Sequence, residues 1–170
     1  MPGESITSRC GDVSFTHPAA WVSAHGDAQT CVAVEPTRCD GGFRANLVLT
    51  VRGNASLSFG EWQAATDRLL PLLLHDYEVL DLERIDVAGY RGGRRAARHR
   101  APCGRWVTMT QWFTSVRGYG ITLTGTVDAP SGALLTPIFG QAASTLTVSS
   151  SGSPATPLPQ PLRSPDEPRH

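Results

Sequence analysis

Apolar and polar positions alternate with a period of two along most of the chain and change to a helical period in two places. Residues 12–16 begin a strand that Pro18 bends, and Trp21 supplies a large aromatic plug behind the bend. Thr30 to Val34 forms a second strand, stopped before Pro36. From Ala45 to Val51 the pattern is strict, with Ala45, Leu47, Leu49 and Val51 on one face. The period then lengthens. Ser58 followed three residues later by Glu61 matches a capping box, so a helix is predicted from residue 59. Trp62, Ala65, Leu69 and Leu72 form its predicted buried stripe, which makes Leu69 a core residue alongside Trp21. Pro71 lacks an N–H and its ring crowds the Asp67 carbonyl, so the helix is expected to kink or end there.

Four further strands follow in close succession. Tyr77–Val87 turns at Gly89 into Arg91–Ala101, and Pro102-Cys103-Gly104 leads into Trp106–Ser115. Arg117-Gly118 turns the chain again into Tyr119–Val127, with Ile121, Leu123 and Val127 inward. A last helix is predicted over about 131–145, with Leu135, Ile138, Phe139 and Ala142 on one stripe and Pro137 in its first turn. Leu146-Thr147-Val148 closes the domain. Strands joined by short turns favour antiparallel pairing, and two amphipathic helices must bury their stripes on the resulting sheet. The predicted fold class is therefore α+β: a twisted antiparallel sheet of about six strands with helices packed on it.

Composition changes at the ends. After residues 1–9, a short lead-in, a single domain is expected over 10–148. Residues 149–170 are rich in Ser and Pro and hold almost nothing apolar, so a disordered tail is expected there. The 170 residues carry no net charge and no lysine; all fifteen basic residues are arginine. A neutral chain lacks the field that draws proteins to nucleic acid or anionic membrane, so neither is an expected partner. Nothing approaches the ~20 apolar residues that cross a bilayer. Met1–Cys10 contains no apolar signal-peptide core, so the chain as given reads as cytoplasmic.

Candidate chemistry is sparse. Gly-x-Ser-x-Gly and phosphate-loop spacings are absent. Cys103 and His99 make the nearest local Cys/His pair, with no third group to orient them. Cys10, Cys31, Cys39 and Cys103 lack zinc-pair spacing; a Cys31–Cys39 bridge is geometrically reasonable, though reduced thiols are the default in a cytosolic chain. His17 reads as a turn residue, and His75 as a residue near the free carbonyls of a helix end. No catalytic, cofactor or metal site is assigned. The feature that stands out is the cluster Arg91, Arg94, Arg95, Arg98, His99 and Arg100. Strand alternation places Arg94, Arg98 and Arg100 on one face and Arg95 and His99 on the other. The three guanidiniums either meet an acidic partner or phosphate groups, or pair across strands with Glu78, Asp81 and Glu83.

Several motifs together carry a resemblance. Phe15-x-x-Pro18-x-x-Trp21, Asn46-Leu47, the capped helix with Trp62, Val87-Ala88-Gly89-Tyr90, Gln111-Trp112 and Tyr119-x-Ile121-x-Leu123-Thr124-Gly125 occur in that order. Over residues 10–148 the chain resembles the PsbP-like fold, and within it the actinobacterial LpqN/LpqT-type and DcrB-type proteins. The resemblance implies a central antiparallel sheet with helices on it. It implies no catalytic motif, since users of this fold act by binding: a photosystem subunit, a nuclear-import factor and secretion adaptors. Many actinobacterial relatives are exported lipoproteins. The reading is a non-catalytic binding module for a protein partner, adaptor-like or chaperone-like, with Arg94, Arg98 and Arg100 as its candidate contact residues. The alternative is a carrier of a small ligand or lipid, with an apolar pocket between sheet and helices. A hydrolase with catalytic groups converging from distant strands is a third class.

Overall fold

The computed structural model describes residues 3–8, 12–37 and 42–149. The predicted tail from residue 150, Cys10, Cys39 and any Cys31–Cys39 bridge lie outside them. Among the described residues, ten strands and two α-helices follow in chain order. β1 (Gly3–Thr7), β2 (Val13–Pro18) and β10 (Thr147–Val148) form a small antiparallel sheet in the order β1-β2-β10. β3 (Val22–His25), β4 (Thr30–Val34), β5 (Asn46–Gly53), β6 (His75–Val87), β7 (Tyr90–Arg100), β8 (Trp106–Val116) and β9 (Tyr119–Asp128) form the main sheet. Its order is β3-β4-β5-β9-β8-β7-β6, and each neighbouring pair is antiparallel. The molecule is thus α+β, as its alternation predicts. The lead-in expected before residue 10 is itself a strand, and Val22–His25 adds another that the sequence does not signal.

The main sheet uses its two faces differently. Leu47, Leu49, Val51, Ile121, Leu123, Val127 and Trp112 line one face and are buried with Val13, Phe15 and Trp21 in the core. α2 (Gly132–Ser144) lies on this face, where the Phe139 ring sits against Gly125 so closely that a Cβ there would collide with it. Trp21, in the connection between β2 and β3, meets Phe139 of α2 edge-on, with ring centroids 6.3 Å apart. Pro137 sits inside α2 rather than in its first turn, because the helix begins at Gly132, after a 3-10 turn at Ala129–Ser131.

α1 (Phe59–Leu73) packs on the opposite face. Its capping box forms as predicted: the Ser58 hydroxyl accepts from the Glu61 N–H, and the Glu61 carboxylate accepts from the Ser58 N–H. Hydrogen bonds from the Ser58 hydroxyl and then the Ser58 backbone hold the Glu61 carboxyl below its ordinary pKa. Trp62 lies over Gly120, and Phe59 stacks on Phe113 at 6.0 Å. The predicted stripe is only partly right. Trp62 packs inward, but Leu69 is 52% exposed and Leu72 is 81% exposed, so Leu69 is not a core residue. Pro71 lies within α1, which runs on to Leu73.

Candidate functional site: the arginine hairpin

β6 and β7 form the outer hairpin of the main sheet, turning through Ala88 and Gly89 at φ 54° and 80°. Two consecutive positive φ values match the right-handed twist of a two-residue hairpin. The register sets Glu78 opposite Arg98 and Glu83 opposite Arg94. On the face shared with α2 but beyond its cover, Arg94, Arg98 and Arg100 line up as the alternation predicts.

Each of the three meets a carboxylate. The Arg94 Nη2 donates to Asp81 at 2.9 Å and to Glu83 at 3.0 Å. Arg98 donates from Nε to Glu78 at 2.7 Å, and Arg100 donates from Nε to Asp76 at 2.8 Å. The cross-strand pairing is therefore the arrangement found, with Asp76 added to the three acids expected. All of these side chains are substantially exposed, so the pairs contribute little stability, about 0–1 kcal/mol each. They do hold long side chains in one geometry. Trp106, at the start of β8 and 38% exposed, lies beside two of them. The Arg98 and Arg100 guanidinium carbons sit 5.2 Å and 4.7 Å from its ring centroids. The result is an exposed surface built from one tryptophan, three oriented arginines and four carboxylates.

Arg95 points to the other face and is 2% exposed. It pairs with Asp67 of α1, donates to the Gln111 side-chain oxygen at 3.0 Å and lies 5.1 Å from the Phe113 ring centroid. Burial pushes its pKa down, but a guanidinium stays protonated. The sequence places Arg95 on this face but does not reveal Asp67 as its partner. The only local signal is an acid amid the apolar run of a helix. This pair also explains the misread stripe. Asp67 and Leu69 are two residues apart, so they project about 160° apart on a helix. Turning Asp67 toward Arg95 leaves Leu69 and Leu72 outside.

The other candidates resolve plainly. His17 is not a turn residue: it lies in β2, is 2% exposed, and donates from Nδ1 to the Pro18 carbonyl at 3.0 Å. His75 opens β6, is exposed, and lies 4.0 Å from Asp76 rather than capping α1. His99 turns its Nδ1 to the Arg100 carbonyl at 3.2 Å, and Cys103 is exposed in the β7–β8 turn. Cys31 is buried, with its sulfur 3.6 Å from the Thr7 carbonyl oxygen. Among the described residues no three His, Cys, Asp or Glu side chains lie together so as to hold a metal ion. No described helix is long and apolar enough to cross a membrane. A cavity of about 390 Å³ lies between β2, the segment after β4, and α2, lined in part by His17, Trp21, Ile138 and Ala142.

No protein-family model matches the chain, and no curated protein matches it significantly in sequence. Solved structures do match its architecture. The Ran-binding protein Mog1p of Saccharomyces cerevisiae superposes with a TM-score of 0.61 at 11% identity, over 87% of this chain and 96% of Mog1p. Cyanobacterial PsbP (CyanoP) of Synechocystis sp. PCC 6803 gives 0.62 at 14% identity, over 86% and 92%. LpqN of Mycobacterium tuberculosis, involved in cell envelope biogenesis, gives 0.61 at 12% identity, over 87% and 86%. At these identities the likeness establishes architecture alone. The chain has the PsbP-like fold, with LpqN among its structural relatives.

Proposed function

We propose that this protein is a non-catalytic module that binds another protein through the exposed face of the β6–β7 hairpin, with Trp106 as the anchor at its open end. The observation that carries this reading is the Trp106 ring beside the Arg98 and Arg100 guanidiniums, each already oriented by a carboxylate. Trp and Arg dominate the binding energy of protein interfaces, and side chains ordered in advance lose less entropy on docking. A solved neighbour of the same fold is a Ran-binding protein, which supports a protein partner in kind though not in identity. The test is affinity capture of the protein from its native extract, with wild type and Trp106→Ala compared side by side. A stoichiometric protein retained by wild type and lost by the variant is the expected result.

The cavity beside Trp21 favours a second reading, a small-ligand carrier, because its lining is largely apolar and Trp21, Ile138 and Ala142 wall it. Native mass spectrometry of the purified protein separates the two. A bound small molecule at one equivalent, with no protein partner, would support the carrier.

A further inference from the structure

β6 is a 13-residue strand at the edge of the main sheet, with β7 on one side and, among the described residues, no strand on the other. Long edges of this kind present a row of backbone N–H and C=O groups that a second chain can pair with. Bulges interrupt the register between His75 and Glu78 and between Val79 and Asp81. From Asp81 to Val87 the pairing with β7 is continuous, so this seven-residue stretch is regular.

The two faces of that stretch differ. Asp81 and Glu83 stand on the Trp106 face and share one nitrogen of Arg94 between them. Two carboxylates on one guanidinium leave a net negative charge at the outermost row of the sheet. Toward the α1 face stand Leu82, 46% exposed, and then Arg84 and Asp86, both exposed and of opposite charge.

We infer that the Asp81–Val87 edge takes an extended strand of the partner by β-sheet addition, and that this strand carries cationic side chains at alternate positions. Main-chain hydrogen bonds to the β6 edge supply affinity, while alternate side chains supply specificity. The cations meet Asp81 and Glu83 on one face; the intervening side chains lie over Leu82 and the aliphatic stem of Arg84 on the other. This rests on the protein-binding reading above and adds the mode and chemistry of the contact.

The probes are two synthetic hexapeptides, acetyl-Arg-Val-Arg-Val-Arg-Val-amide and its Glu-Val counterpart, titrated onto the full chain at low salt. The Arg-Val peptide is expected to bind at least about tenfold tighter, and the advantage should shrink as salt rises and charges are screened. Amide exchange within Asp81–Val87 should slow on binding. Peptides carrying N-methyl groups on alternate residues should split, one isomer inactive and the other unimpaired, since only one edge of the added strand faces β6. The isosteric variant Asp81→Asn/Glu83→Gln should remove the preference for arginine. Equal binding of the Arg-Val and Glu-Val peptides, indifference to both N-methyl patterns, or self-association of the chain through this strand would each overturn the inference. If the natural partner is lost by Trp106→Ala yet leaves exchange in Asp81–Val87 unchanged, the edge inference falls while the binding reading stands.

Discussion

At the residue scale the most consequential contact is Arg95 with Asp67. A guanidinium 2% exposed among Gln111 and Phe113 has left water, and its carboxylate partner is the main compensation. Removing that partner strands the charge, which is costlier than the pair is beneficial. Asp67→Ala is expected to lower unfolding stability by about 3 kcal/mol, the low end for a broken buried pair, because Asp67 is itself partly in water. Replacing both residues, Arg95→Met with Asp67→Leu, should recover most of the loss; urea unfolding of the three proteins checks it. Glu61 gives a pH signature. Its folded pKa is depressed, so its contribution is present above the ordinary value of 4.5 and is lost as pH falls through the lower folded value. Amide exchange in the first turn of α1 should rise below that pH, and Glu61→Gln should flatten the dependence.

At the element scale, the strands and the α1 cap are legible in the sequence because their signals are local. Alternation marks the buried positions of β5 and β9, and a hydroxyl with an acid three residues on marks the start of α1. The rotation of α1 is not legible, since it is set by Asp67 reaching Arg95 on a strand 28 residues away. The consequence is measurable. Trp21→Ala should cost about 3–5 kcal/mol, as for a large core aromatic. Leu69→Ala, half exposed, should fall within about 1 kcal/mol of wild type. β1 and β3 are illegible for another reason: they are short, and what stabilises them is pairing with β2 and β4 rather than any pattern of their own. The arginine face is half legible. The sequence gives which arginines share it and three of their four acids, but not Trp106, which joins them only through the β7–β8 register. Reversing the three charges with Arg94→Glu, Arg98→Glu and Arg100→Glu would set three new carboxylates beside Asp76, Glu78, Asp81 and Glu83. The melting temperature is expected to fall and exchange in β6 and β7 to rise; an unchanged melting temperature would show that the ladder is inert.

At the scale of the whole molecule, α2 and the small sheet cover one end of the main sheet face and leave the hairpin end open. That division separates the part that holds the fold together from the part free to meet a partner. Single exposed residues can therefore be altered there without disturbing the core, which makes the binding reading directly testable. The measurement is partner affinity, with melting temperature as a control, for wild type, Trp106→Ala and Arg98→Ala. Truncating an interface hot spot costs about 2 kcal/mol or more, so Trp106→Ala should weaken binding by roughly thirtyfold with melting nearly unchanged. Arg98→Ala should weaken it less. A partner bound equally well by wild type and Trp106→Ala, with both fully folded, would contradict the account.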